Sequence, residues 1–167
     1  MINTLATALS SLSPEFATAV LATLPLTELR ASLPLAMTVF ELSVWDAYLY
    51  SIIGNSIPLF VLLWGLPPIV LFAKNHLPWL NRFFEKFLGH YERKYKEKYQ
   101  KYGRLILFLF TMIPLPGSGV WTASVLAVVF QIKRSFAVQA IILGMLAAGV
   151  IVALITTGVL GGLSFLL

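Results

Sequence analysis

Glu28 and Arg30 are the only charged residues between Glu15 and Glu41, and they stand two positions apart inside TLPLTELRASLPLAM (residues 23–37). Thr27 is placed as the N-cap of a helix that carries both in its first turn. Glu28 suits the positive end of that helix, whereas Arg30 opposes it. The conflict is relieved if an anion docks there, because free backbone N–H groups and a guanidinium can hold the same phosphate or carboxylate. Arg30 and Glu28 are therefore the first candidates for substrate binding. Glu28 is also the candidate for proton coupling, as a carboxyl that loses water and its cationic partner when Arg30 engages a ligand. The structural alternative is that the two neutralise each other, or pair with Asn55 and backbone carbonyls, and close a turn without any ligand.

A second group lies in IPLPGSGVWTAS (residues 113–124), which has no charge at all. Pro116, Gly117, Ser118, Gly119 and Thr122 offer backbone groups and hydroxyls that could bind a polar headgroup, with Ser124 nearby. Small residues in membrane helices also serve close packing. Trp121 reads as a packing residue, not a surface for stacking a ligand. Asn55, after Gly54, is a polar amide in a long apolar run and needs a partner, so it joins the candidate site.

Other chemistries find no residues. There is no cysteine, and His76 and His90 are too far apart for helical metal-ligand spacing, so no metal or cofactor is expected. PGSGVWT lacks the GK[ST] of a phosphate-binding loop. No nucleophile–base pair or carboxylate dyad is apparent, which argues against an enzyme.

The surroundings of these residues are those of an integral membrane protein. Hydrophobic residues make up 59% of the 167 positions and charged residues 11%, with a mean hydropathy of +0.87. Charge-free stretches run over residues 16–27, 47–73, 105–132 and 135–167. The last three could each cross a bilayer, which takes roughly 20 apolar residues. The first 16 residues lack the basic region and cleavage site of a removed signal peptide, so the chain is treated as mature.

Eleven of the twelve Lys and Arg lie between Lys74 and Arg104 or at Lys133 and Arg134, while Glu15, Glu41 and Asp46 stand apart from any basic residue. By the positive-inside tendency, residues 74–104 and 133–134 are expected in the cytoplasm of a plasma-membrane protein, with both termini outside. The segment between the basic clusters must then enter and leave on one side, as a re-entrant hairpin, and residues 16–40 form a hairpin entered from the other. Pro25 to Arg30 and Pro114 to Gly119 mark the two turns. A rival reading makes each stretch a single span, but it puts Glu28 and Arg30 at the bilayer midplane at about 2.5–3.5 kcal/mol each.

LPLTE (24–28) resembles IPLPG (113–117) at an offset of 89, and SIIGN (51–55) resembles IILGM (141–145) at an offset of 90. Coincidence between short apolar words is the plain alternative. The expected fold is all-α, one membrane domain over residues 1–167 with two inverted repeats. Repeat 1 (14–73) holds a hairpin (14–42) and a span (45–73); repeat 2 (104–167) holds a hairpin (104–132) and a span (135–166). Inverted repeats with broken helices place a transport site at the repeat interface. Between them, residues 77–102 carry Leu80, Phe84, Phe87, Tyr91, Tyr95, Tyr99 and Tyr102 at helical spacing. This amphipathic helix is expected on anionic cytoplasmic headgroups, and not on nucleic acid.

PLTELRASLPL, IIGN and IPLPGSGVWTASVLA resemble the small multidrug export protein family over nearly the whole chain. That family is similar in layout to the wider DedA (SNARE-associated, VTT-domain) superfamily. The resemblance implies two facing re-entrant hairpins and movement of polyprenyl phosphates or phospholipids between leaflets, with Glu28 matching the glutamate of the first hairpin. DedA proteins place arginines in the second hairpin, where this chain has Gly119, Val120 and Trp121, so Arg30 must carry phosphate recognition, helped by Arg104 if it reaches inward. The expected function is a small transporter or flippase for an anionic amphiphile. Its expected partners are membrane lipids and that substrate, with homodimerisation an option. Export of lipophilic drugs through Glu28, and a non-transporting assembly or scaffold role, are the alternatives.

Overall fold

The structure is a computed structural model that describes residues 12–76, 102–115 and 117–166, and all the regular elements among them are helices. In chain order these are α1 (Pro14–Thr23), α2 (Glu28–Thr38), α3 (Val44–His76), α4 (Tyr102–Met112), α5 (Val120–Val129) and α6 (Arg134–Leu166). The amphipathic segment expected at 77–102 lies outside the described residues except for Tyr102.

Local chemistry sets the helix ends. Ser13 caps α1, accepting from the Phe16 N–H at 3.4 Å, and Pro14 occupies the first turn, where its missing N–H costs nothing. Pro25 prevents α1 from continuing beyond its extended cap at Leu24. At the far end of α2, Glu41 turns left-handed with φ 53° and Leu42 N–H returns to Ala36 O at 2.9 Å. After α5 a related closure, one residue tighter, is found: Gln131 has φ 52° and Ile132 N–H returns to Ala127 O at 2.9 Å. These matching stops are 90 residues apart, at 41 and 131. The helices that follow start at 44 and 134, and each is 33 residues long.

Lengths divide the helices into two kinds. α3 and α6 contain apolar segments of 29 and 26 residues (Val44–Phe72 and Arg134–Val159), long enough to cross a membrane. With 10 and 11 residues, α1 and α2 each extend only about 15 Å, half the hydrocarbon thickness. The pair α4 and α5 is similarly short. α3 and α6 run antiparallel: Tyr48 OH donates to Leu146 O at 3.0 Å, and the Arg134 guanidinium lies 5.9 Å from the Trp64 ring centre.

Two glycines seat the short helices on the long ones. A Cβ on Gly54 of α3 would collide with the Ala19 carbonyl of α1, and one on Gly144 of α6 with the Phe108 carbonyl of α4. Only glycine allows these backbone approaches. Leu29, Leu33, Leu59, Leu63, Leu107, Val120, Ile141 and Met145 fill the common core. By contrast, Ile53, Ile57, Val61 and Trp64 on α3 and Leu143, Val150, Leu154 and Ile155 on α6 face outward, an apolar surface too large for water and suited to lipid.

Candidate functional site

The two short-helix pairs meet tip to tip, and Glu28 and Arg30 make the junction. Glu28 opens α2 in a left-handed conformation, φ 43°, which costs a residue with a Cβ about 1–2 kcal/mol. From there its carboxylate reaches the start of α5, where Oε1 accepts from the Trp121 backbone N–H at 3.3 Å. It thereby satisfies one of the unpaired donors of that helix and meets its positive end. Gly119, the N-cap of α5, makes the approach possible: a Cβ there would occupy the space of the Glu28 carboxylate.

Arg30 attends to the opposite end of the same break. Its Nη1 donates to Leu115 O at 2.7 Å, and its Nη2 to Ile113 O at 2.9 Å, Thr111 O at 3.4 Å and Ser118 Oγ at 3.2 Å. Thr111 O and Ile113 O lie at the C-terminal end of α4 and Leu115 O just beyond it, so the guanidinium sits near the negative pole of one helix while Glu28 sits at the positive pole of the next. Glu28 Oε2 is 3.9 Å from Arg30 Nη1, within ion-pair range but too long for a hydrogen bond. Each charge is held more closely by the broken helices than by the other charge. Trp121 adds a further strut, its ring N–H donating to Thr23 O at 3.0 Å.

Thr27 stands at the cap position, but its side chain does not cap α2 as the sequence suggested. Its hydroxyl donates to Leu21 O of α1 instead, which ties the tip of the first pair back onto itself. Ser118 turns inward, donating to Ile113 O at 2.9 Å and receiving from Arg30. Gly117 takes φ 80°, a conformation that glycine adopts without strain, and Pro116 lies outside the described residues. Arg104 does not join Arg30; its guanidinium carbon is 3.2 Å from the Phe136 ring centre.

Two cavities adjoin the ion pair. On the open side a cleft of about 240 Å³ is lined by Pro25, Thr27, Glu28, Arg30, Gly117 and Thr122, among others. Behind the pair is a small chamber reached by Glu28, Arg30, Asn55, Thr111 and Met145. The structure thus gathers Glu28, Arg30, Asn55, Gly117, Gly119 and Thr122 around one junction, with Ser118 beside them. Thr111 was not anticipated from the sequence. It looks like any small polar residue in an apolar helix, and only its proximity to Arg30 distinguishes it. No group of three or more potential metal ligands occurs among the described residues.

In comparisons with known proteins, residues 28–151 match the family model described as "Putative small multi-drug export protein". Neither a curated protein nor a solved structure matches the chain.

Proposed function

The chain belongs to that family of small multi-drug export proteins, and we propose that this membrane protein is a transporter whose substrate is an amphiphile with an anionic headgroup, such as a polyprenyl phosphate or phospholipid. The observation that carries the reading is the position of the Glu28 carboxylate. It lies between the Trp121 N–H of α5 and the Arg30 guanidinium, at the edge of the 240 Å³ cleft. A helix N-terminus plus a guanidinium is the donor set a phosphate uses. Glu28 is then a resident anion that the substrate replaces. When Glu28 takes up a proton its hold on these donors weakens, and the headgroup docks in its place while the tail stays in lipid. Proton movement and substrate movement are coupled by that exchange.

The reading includes two re-entrant hairpins, α1–α2 and α4–α5, in inverted repeats that enter from opposite faces, the layout of the DedA superfamily. The paired left-handed stops at 41 and 131, the equal lengths of α3 and α6, their antiparallel course and the matching seats at Gly54 and Gly144 support it. Asp46 and Arg134 begin these antiparallel helices at opposite ends of the molecule, which supports a cytoplasmic face at Lys133 and Arg134.

Export of a lipophilic cation through Glu28 is the second reading, favoured by the family description and by the carboxylate in the cleft. Arg30 counts against it by like-charge repulsion. Purified protein in liposomes, assayed with a fluorescent phosphate-headed lipid and with a lipophilic cation, separates the two. Movement of the phosphate lipid that Arg30→Ala abolishes is expected; movement of the cation alone, surviving Arg30→Ala, would overturn the proposal.

A further inference from the structure

The amide oxygen of Asn55 is buried without a hydrogen-bond partner, in a residue only 2% exposed. A buried acceptor is ordinarily paired, with protein or with an ordered water. Asn55 lines the chamber behind the ion pair, which has about 10 Å³ of room, the size of one water molecule. The other polar groups around it are Glu28 and Arg30 of α2 and Thr111 of α4. Among the described residues α5 and α6 contribute only Gly119, Val120, Met145 and Ala148, and none of these is titratable. The Thr111 hydroxyl donates to Leu107 O at 2.7 Å and has no second hydrogen to give Asn55. None of the described side chains, Arg30 included, reaches Asn55 Oδ1 with a hydrogen bond, which leaves the place open for a donor from outside the chain.

The geometry points to a single bound water in this chamber, donating to Asn55 Oδ1 and to the Glu28 carboxylate. Asn55 is then a positioning residue: it fixes the water that exchanges protons with Glu28 from the side away from the substrate cleft. The ion pair becomes a partition, with substrate in front and water behind. A proton reaching the water makes it a hydronium, one O–H bond of which breaks as an O–H bond forms on the Glu28 carboxylate, so water is regenerated and the net transfer is one proton to the carboxylate. This deepens the proposed transport function and rests on it for its purpose, but the water site itself can be tested without transport.

Infrared difference spectroscopy of the full-length protein in liposomes, titrated with acid in ordinary and ¹⁸O-labelled water, provides the test. Glu28→Gln identifies the carboxyl band of Glu28 by removing it. Wild type is expected to show a water O–H band that shifts with ¹⁸O, and Asn55→Leu to lose it and to shift the Glu28 carboxyl band. Ala148→Val, which fills the chamber from α6 and leaves Asn55 in place, is expected to lose the same water band and covers the case in which Asn55→Leu fails to fold. A wild-type spectrum with no isotope-sensitive water band, or a band that persists in either variant, overturns the inference. Wild-type liposomes that move neither probe while the band behaves as stated would refute the transport function and leave the water site standing.

Discussion

Glu28 and Trp121, 93 positions apart, are joined by a 3.3 Å hydrogen bond from the Trp121 backbone N–H to the Glu28 carboxylate. A charge in the first helix pair thereby caps a helix in the second. With Arg30 on carbonyls at and just beyond the end of α4, the first pair supplies charge to both sides of the break in the second. The junction joins side-chain charge on one partner to backbone groups and the Ser118 hydroxyl on the other.

Gly119→Ala follows from that contact. The added methyl group would take the place of the carboxylate, so Glu28 must leave α5 or α5 must retreat. Thermal unfolding in detergent is expected to show a loss of about 1–3 kcal/mol. Phosphate-lipid movement should fall further than this stability loss accounts for. A variant with wild-type stability and transport would show that Glu28 does not depend on this approach.

Arg30→Ala removes the charged donor from the Ile113 and Leu115 carbonyls and leaves them only neutral ones, the Ser118 hydroxyl and the nearby backbone N–H groups. The cost is expected to be about 1.5–3 kcal/mol, the worth of a hydrogen bond from a charged group, measured by denaturation in detergent. Arg30→Lys should recover only part of it, because an ammonium is a single point and cannot span carbonyls on several residues. Full rescue by lysine would mean that charge, not the fork, holds the junction.

Glu28→Gln keeps a carbonyl oxygen for the Trp121 N–H and removes the charge. The fold is therefore expected to survive, whereas proton movement accompanying the phosphate lipid should disappear in a liposome assay with a pH-sensitive dye. Continued proton movement in this variant would exclude Glu28 as the coupling group.

Gly54→Ala and Gly144→Ala each push a short helix away from a long one, since the methyl group meets the backbone of Ala19 or Phe108. Losses of about 1–3 kcal/mol are expected for each. The double variant should lose close to the sum if the two seats are independent. A large departure from additivity in thermal unfolding would indicate that the seats are coupled through the tip junction.

The cysteine-free chain permits a direct test of sidedness. With cysteines placed singly at Asp46 and Lys133, a membrane-impermeant thiol reagent applied from outside should label position 46 and spare position 133. Labelling of both from outside would contradict opposite entry of the two hairpins.

Much of this architecture can be read from the chain itself, because each feature depends on local chemistry or on composition. Charge-free runs identify the long helices α3 and α6, and prolines and glycines mark the breaks at 24–27 and 113–119, while SIIGN and IILGM each contain a glycine, Gly54 and Gly144, on which a short helix packs. Glu28, Arg30 and Asn55 also declare themselves, since ionisable and amide groups are costly in an apolar run and must have partners. What the chain could not disclose is which partners they take. Thr27 satisfies every local rule for a cap, yet donates to Leu21 O because the turn folds back on α1. Glu28 and Arg30, two residues apart, invite the reading of a private ion pair, yet tertiary structure turns each toward a different end of a helix break some 90 residues away. The backbone groups of that break are only partly satisfied by their neighbours, and they hold the charges more closely than the charges hold each other. Sequence determined that charge is buried here; only the meeting of the two tips decided what it holds.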